Sequence, residues 1–305
     1  MRWVLCLFLL PTVALGQSAA EDRKWIAKIK TGGVDMVAAQ AYFERRGSAA
    51  TSELSRALLQ ERGAPGYRAS LMWAAAWTKD PSILPAVFEA CRRVPYPYIF
   101  DSDVVVTSIR LDEFGTRGYD KAAEALTSKN FMVRRVATQL LTYSTQEKLT
   151  PKAQGALSRA RHDKDPYVAV NSTYFASWVG PQDYARMLPF THHSDPRIRI
   201  NALEAAARGM PTKAKALRIE HLDDPDELVA GFAMNDMRYG MDQSDFAAVA
   251  RVLARAKGQA RLHPIEALGY VRNDKAIPVL TPLIDDSDRE IAGAAMRSLA
   301  MVRGG

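Results

Sequence analysis

Three potential metal ligands lie at the start of the segment HHSDPRIRINALEAAARG, residues 192–209. His192, His193 and Asp195 offer ligand types that zinc accepts, within four positions of one another. A zinc-binding helix, however, takes two histidines at i and i+4, as in H-E-x-x-H, and the chain nowhere has that spacing. We therefore predict neither a metal nor a cofactor.

The other chemistry-bearing patterns also favour a protein without catalytic residues. His162, His192, His193 and His221 each precede an aspartate-rich stretch, so we interpret them as solvated loop residues along one edge of the fold. Neither G-x-S-x-G, which presents a nucleophilic serine, nor a phosphate-binding glycine loop occurs in the sequence. The sequence therefore predicts a non-enzymatic protein.

Two groups of residues are candidates for contact with a partner. The first lies in the segment RRVPYPYIFDSD, residues 92–103, where tyrosine and arginine could serve as interface anchors. The alternative there is a connection whose aromatic side chains pack over helix ends. The second group is basic and lies on short helices, for which the alternative is a solvated face. The candidates are Arg92, Arg93, Tyr96, Tyr98, Phe100, Lys213, Lys215, Arg218, Arg251 and Arg255.

These candidates belong to a chain with an internal repeat of about 30 residues. Asp-Pro pairs at 165–166, 195–196 and 224–225 are spaced 30 and 29 residues apart, and looser copies begin at Ser128 and near the end of the chain. Self-similarity at this period indicates stacked helical units, because a single unit cannot bury its apolar face alone.

The copy from residue 195 contains the signals that begin and end a helix. Asp195 is expected to accept backbone N–H bonds as the N-cap, and Pro196 suits the first helical position. Ile198 and Ala202 belong to an apolar face with a four-residue spacing, and Gly209 is expected to end the helix in a left-handed conformation. Shorter second helices, predicted after positions 150, 180, 210 and 242, complete antiparallel pairs.

This unit resembles the short HEAT-like repeat, whose first helix begins D-x-x-V-R-x-x-A. The segment DPRIRINAL places Ile198 and Arg199 in the Val-Arg positions; the copy from 128 keeps Arg134, and the copy from 165 has Ala169 instead. The resemblance implies an all-α solenoid in which aspartate and arginine bond between stacked repeats. Some HEAT-like iron hydroxylases carry His-Glu pairs in several repeats, and this sequence has no His-Glu dipeptide.

The domain organisation follows from where the repeats are clear. We expect HEAT-like repeats over residues 128–305, continuous with less regular helical repeats that act as a cap over residues 21–127. A two-helix unit needs neighbours on both sides to bury its core, so the whole is predicted to be one α-solenoid.

The first residues have the order of a secretory signal peptide. Arg2 precedes an apolar run over residues 3–15, and Ala14 and Gly16 are the small residues before a predicted cleavage after Gly16, with cleavage after Ala20 as the alternative. The run of about 13 residues is shorter than the roughly 20 that span a bilayer. We therefore expect residues 1–16 to be removed and the mature chain, in the periplasm or outside the cell, to contain no transmembrane segment.

Composition adds two limits. The formal charge of +7 is spread along the chain, and export argues against nucleic acid as a partner. Because Cys6 lies in the signal, Cys91 is the remaining cysteine, and stability must come from an apolar core that includes Cys91 rather than from disulfides.

These features predict a protein-binding or scaffolding module that holds a protein partner on the solenoid surface. The alternative is a binding protein or enzyme that acts on an anionic polymer or small ligand, in a basic concave groove lined by the second helices. The partner, the pathway and the oligomeric state stay open at this point.

Overall fold

The computed structural model describes residues 18–31, 35–61, 65–92, 111–142, 144, 146–174, 179–237 and 240–304. Every regular element within these ranges is a helix, and none is a strand. Within each of the two units described below, helices that are near each other in the sequence pack together. The predicted fold class, an all-α solenoid, is confirmed. The predicted signal peptide and the aromatic residues 93–100 lie outside the described part.

The chain divides into two compact units, Met1–Phe175 (unit 1) and Ala176–Gly305 (unit 2). The helices of unit 1 are α1 (Ser18–Thr31), α2 (Met36–Arg46), α3 (Thr51–Gln60), α4 (Pro65–Trp77), α5 (Leu84–Cys91), α6 (Gly115–Ala125), α7 (Phe131–Thr142), α8 (Pro151–Ala160) and α9 (Pro166–Tyr174). Those of unit 2 are α10 (Pro181–Met187), α11 (Pro196–Gly209), α12 (Pro211–Glu220), α13 (Glu227–Met237), α14 (Phe246–Arg255), α15 (Leu262–Val271), α16 (Ile277–Leu280) and α17 (Arg289–Arg303).

In the regular repeats, α7, α9, α11, α13, α15 and α17 are the first helices, and α8, α10, α12, α14 and α16 are the second helices. The predicted change from irregular to regular repeats, at residues 127–128, falls inside unit 1. Among the described residues, no helix is long and apolar enough to cross a membrane.

Local capping explains several helix starts. Thr150 Oγ1 accepts the N–H of Ala153 at 3.1 Å ahead of α8, and Asp195 Oδ1 accepts the N–H of Arg197 at 3.0 Å ahead of α11. Such side-chain acceptors satisfy backbone donors that have no partner within the first turn. These two predicted helix starts are confirmed.

The third Asp-Pro pair does not begin a helix, contrary to the prediction. Helix α13 starts at Glu227, and Asp226 is the residue that accepts the N–H of Leu228, at 3.0 Å. Asp224 instead accepts the N–H of Asp226 at 2.9 Å. The N-cap of α13 is therefore Asp226, two positions after Asp224. For this reason the D-x-x-V-R pattern fits poorly when Asp224 is taken as its first residue.

Gly209 is needed for a close helix approach and not for a left-handed turn. It is the last residue of α11, and the following Met210 has a φ of −147°. A Cβ at Gly209 would lie 2.8 Å from the backbone oxygen of Gly180 and 2.9 Å from the nitrogen of Tyr184, so only glycine lets α11 pack this tightly on α10. Gly47, in contrast, follows α2 with a φ of +52°, a backbone conformation that favours glycine.

Helices α6 and α15 carry no Asp-Pro signal and were not predicted from the sequence. Each is preceded by a 3₁₀ turn, Leu111–Phe114 before α6 and Gly258–Arg261 before α15. The residues just before both helices make no side-chain capping bond. Their place in the fold comes from packing against neighbouring helices.

Small side chains bring the helices together in both cores. In unit 2, Ala202 and Ala206 are fully buried on the face of α11 that the four-residue spacing predicts, and Ala267 of α15 and Ala294 of α17 are fully buried as well. In unit 1, Cys91 is also fully buried, and burial raises the pKa of its thiol to about 12. Cys91 is therefore the small apolar core residue that the sequence predicts.

Buried arginine–aspartate pairs join successive first helices within each unit. In unit 1, Arg134 donates from Nε to Asp163 Oδ2 at 2.7 Å and from Nη2 to Oδ1 at 2.9 Å. In unit 2, Arg199 makes the same two bonds to Asp224. The acceptors lie 29 and 25 residues after the arginines, one repeat further along the chain. The bonds between repeats that the HEAT-like resemblance implies are present at these positions.

Candidate functional site

Two of the predicted partner-binding residues on the second helices of unit 2 are held by carboxylates of the same unit. Lys215 Nζ lies 2.9 Å from Asp242 Oδ2 and 3.0 Å from Asp245 Oδ2. Hydrogen bonds to Asp242 and Asp245 raise the pKa of Lys215. Arg255 forms a two-bond pair with Asp223 at 2.8 and 2.9 Å, which raises the pKa of the guanidinium.

The other three basic candidates differ in how freely they face solvent. Arg218 is largely buried and lies 3.0 Å from Glu204. The Lys213 ammonium is exposed and lies 5.3 Å from the centroid of the Tyr184 ring, a cation–π distance. Arg251 is exposed and bonds to no described residue.

The basic candidates therefore do not form one free positive surface. Lys215, Arg218 and Arg255 each meet an internal carboxylate, so much of the charge is compensated before any ligand arrives. Arg92 is exposed and paired with Glu89 at 2.7 Å. The remaining aromatic-segment candidates, Arg93, Tyr96, Tyr98 and Phe100, lie outside the described residues.

The sequence predicts that the four histidines before the caps are solvated, but the structure shows this for only two of them. His162 and His192 are exposed, and His193 is half-buried, with its Nδ1 accepting the N–H of Asp195 at 3.0 Å. His221 is buried, which corrects the prediction for that residue. Burial, together with the nearby His192, lowers the pKa of His221.

His221 is close to two partners but not to a metal-binding set. Its ring centroid lies 5.0 Å from that of His192, and its Nδ1 lies 3.5 Å from Asp224 Oδ2. Asp224 is already the acceptor for Arg199. Across the described part of the chain, no group of three or more histidine, cysteine, aspartate or glutamate side chains could hold a metal ion.

A surface that the sequence analysis missed lies on the first helices. Between residues 111 and 304, the described large apolar side chains that are exposed are Phe131 of α7 (46 %), Leu228 of α13 (72 %) and Met296 of α17 (55 %). All three lie on first helices, and none lies on a second helix. The repeats thus combine charged second helices with apolar side chains exposed on the first helices.

In unit 2 this surface includes an apolar residue from each first helix. We call the solvent-facing side of α11, α13, α15 and α17 the first-helix face. Its exposed or half-buried apolar residues are Ile200, Leu228, Phe232, Leu262, Tyr270 and Met296. Two of these residues, Leu262 and Tyr270, also pack against the core of unit 2. Apolar side chains grouped on one surface are typical of an interaction site, whereas scattered single residues are not.

The centre of the first-helix face is polar. His263 Nδ1 of α15 lies 3.8 Å from Glu266 Oε2, an electrostatic contact longer than a hydrogen bond, and Arg297 Nη2 of α17 lies 3.3 Å from Glu266 Oε1. His263 and Arg297 lower the pKa of Glu266, so the carboxylate stays ionised. Neither ring nitrogen of His263 has a hydrogen-bond partner among the described residues, and the ring lies over Gly231, where a Cβ would be 3.7 Å away.

One sequence signal could have revealed this face. The helix α13, ELVAGFAMNDM, is apolar on nearly every side. A helix that is apolar all round is either fully enclosed or presents apolar side chains to solvent. In α13, Val229 and Ala233 are buried while Leu228 is exposed, so the second case applies.

Comparisons with known proteins do not assign the chain to a family. No protein-family model matches the chain, and no curated protein matches it in sequence. Solved structures similar to the chain include an engineered protein, at a TM-score of 0.45 and 13% identity, with 97% of this chain and 97% of that chain covered.

Two further solved structures are similar at lower scores. Human deoxyhypusine hydroxylase in complex with glycerol has a TM-score of 0.33 at 15% identity, with 87% of this chain and 98% of that chain covered. A second engineered protein has a TM-score of 0.32 at 14% identity, covering 83% and 96% of the two chains. The fold assignment above rests on the helix pairing and the arginine–aspartate bonds of this chain.

Proposed function

We propose that this protein is an exported, non-enzymatic HEAT-like module that binds a partner protein on the first-helix face of unit 2. The observation that carries the proposal is the exposure of Leu228 and Met296 on a rigid helical support, beside the half-buried Phe232 and Tyr270. Burial of such side chains by a partner is favourable at about 25 cal/mol per Å² of apolar area. The polar centre around Glu266 would fix the partner's register.

The HEAT-like assignment is supported by the D-x-x-V-R pattern and by the bonds that its arginines make. Arg134 and Arg199 occupy the arginine position of that pattern, and both pair with an aspartate of the next repeat. Export is supported by the basic, apolar and small-residue order of residues 2–16. Cell fractionation followed by mass spectrometry of the mature N-terminus tests export, and a full-length cytoplasmic product would contradict it.

The binding proposal is tested with paired surface variants of the full chain. Leu228→Glu and Met296→Glu place charges on the first-helix face, whereas Val37→Glu changes an equally exposed apolar residue (75 %) of unit 1. We expect a protein crosslinked to the wild type in the producing cells to be lost from the Leu228→Glu/Met296→Glu variant and kept by Val37→Glu.

Arg251→Gln serves as a second comparison, because it removes an exposed charge of the second helices that bonds to no described residue. Loss of the same partner from Arg251→Gln, with retention by the first-helix variants, would move the binding site to the second helices. The absence of any crosslinked protein in the wild type would contradict the proposal directly. Thermal melting of every variant shows that binding, and not folding, has changed.

A further inference from the structure

Unit 1 has an open pocket of about 270 Å³ that is separate from the first-helix face. It is formed by the turn Asp80–Ser82, by α6 and by the first residues of α8. Its charged lining residues are three acids and three bases: Asp80, Asp120, Glu124, Arg117, Lys121 and Lys152.

The two aspartates of the pocket are fixed by hydrogen bonds. Asp80 accepts from Thr51 Oγ1 at 2.8 Å and from both the N–H and the hydroxyl of Ser82. Burial alone would raise the pKa of Asp80, but these bonds outweigh it and the pKa is lowered. Asp120 Oδ1 accepts from Thr150 Oγ1 at 2.7 Å, and its Oδ2 accepts no hydrogen bond from a described residue.

Two of the three basic side chains of the pocket are paired with a carboxylate, and the third is not paired with any described residue. Lys121 and Lys152 both bond to Glu124, each at 2.8 Å, and Glu124 has its pKa lowered by these bonds. Arg117 is exposed and makes no hydrogen bond or ion pair with a described residue. The groups left to hydrogen-bond a ligand are therefore one cation, Arg117, and one carboxylate oxygen, Asp120 Oδ2, although the charge of Asp120 also helps to raise the pKa of Lys152.

A pocket with fixed charges of both signs and no net charge favours a ligand that also carries both a positive and a negative group. The three carboxylates repel an anionic polymer and the three cations repel a polycation, whereas a small zwitterion meets an opposite charge at each end. The volume lies below the roughly 300–1,000 Å³ of pockets for drug-sized ligands, so the ligand must be small.

We propose that this pocket binds a small zwitterion with an α-ammonium and a carboxylate group, a free amino acid or a dipeptide. The carboxylate lies against the Arg117 guanidinium, whose planar donors match two carboxylate oxygens. The ammonium lies against Asp120, which Thr150 holds in place from the next repeat. This site is independent of the partner surface proposed for unit 2.

The test is a titration of the full chain with L-alanine and with L-alanyl-L-alanine, followed by chemical shifts or calorimetry. We expect saturable binding with a dissociation constant on the order of 1 mM for the better of the two probes. N-acetyl-L-alanyl-L-alanine, which lacks the ammonium, and L-alanyl-L-alaninamide, which lacks the carboxylate, should each bind at least about tenfold more weakly. A preference for one zwitterion identifies the source, amino acid or peptide.

Three variants assign the binding to the pocket. Arg117→Gln should weaken the zwitterion at least about tenfold and leave the amide probe unchanged. Asp120→Asn should also weaken the zwitterion at least about tenfold, but it should leave the N-acetyl probe unchanged and keep the bond from Thr150. Arg45→Gln, another exposed arginine of unit 1, should have no effect. The proposal is overturned if no zwitterion binds saturably, if the blocked probes bind equally well, or if Arg117→Gln and Arg45→Gln behave alike.

Discussion

Arg199 and Asp224 form a buried two-bond ion pair, with Nη2 to Oδ1 at 2.6 Å and Nε to Oδ2 at 2.9 Å. The third arginine nitrogen, Nη1, donates to the backbone oxygens of His193 and Ser194 at 2.8 and 3.2 Å. The pair thus ties α11 to the cap of α13, because Asp224 also accepts the N–H of Asp226. One side chain joins two repeats and the loop before the first of them.

Arg199→Ala should lower the free energy of unfolding by about 3 kcal/mol, because it leaves the buried Asp224 carboxylate without its cation. Arg199→Lys should recover only part of this loss, since lysine cannot make the two parallel bonds. Urea unfolding followed by circular dichroism measures both. Arg251→Ala, at an exposed residue without a described partner, should change stability by less than about 0.5 kcal/mol. If Arg199→Ala and Arg251→Ala lowered the free energy of unfolding equally, the Arg199–Asp224 pair would contribute nothing to stability.

Gly209→Ala should destabilise the protein by about 1–3 kcal/mol, because its Cβ would lie within 3 Å of the backbone of α10. Gly155→Ala is the matched comparison. It lies inside α8, where a Cβ meets only the end of the Arg159 side chain, so alanine there should stabilise by about 0.5–1 kcal/mol. Thermal melting of both variants measures the difference, and two shifts of the same sign would contradict the close-approach explanation for Gly209.

Stability should fall as the pH is lowered from 7.5 to 5.5, partly because of His221. Burial, together with the nearby His192, lowers the pKa of His221 in the folded protein. The unfolded chain therefore binds more protons over this range, and linkage requires the free energy of unfolding to rise with pH. The stabilising contribution is present above the unfolded pKa and is lost as the pH falls through it.

His221→Leu tests this assignment by removing the titrating group from the core. The difference in unfolding free energy between pH 7.5 and 5.5 should shrink in His221→Leu and stay unchanged in His162→Ala, which alters an exposed histidine. An unchanged pH dependence in His221→Leu would place the titration elsewhere. Denaturant unfolding at the two pH values, each analysed with its own slope, provides the measurement.

The sequence predicts best the hydrogen bonds between an N-cap side chain and the backbone of the first helical turn. Thr150 and Asp195 were predicted as caps because a side-chain oxygen reaches a backbone N–H only two or three residues ahead. The shift from Asp224 to Asp226 could not be foreseen in the same way, since either aspartate satisfies the local rule. The choice depends on Arg199, 25 residues earlier, which takes Asp224 as its partner.

The contacts of the basic candidates could not be read from the sequence for a similar reason. Lys215, Arg218 and Arg255 read as free positive charges in the sequence, but their carboxylate partners lie 14 to 32 residues away. The exposure of Leu228 likewise depends on which side of α13 its neighbours cover. Apolar residues surround this helix, so periodicity alone does not choose the covered side.

By itself, the sequence determined that this chain folds as paired helices, where several of them begin, and that Cys91 lies in the core. Those features follow from contacts within a few residues and from apolar spacing along one helix. Tertiary structure alone decided that His221 is buried, that Gly209 serves a close approach, and that the exposed large apolar side chains between residues 111 and 304 lie on the first helices. These depend on the register between repeats, which is set by pairs such as Arg199 and Asp224 and is not written in any local pattern.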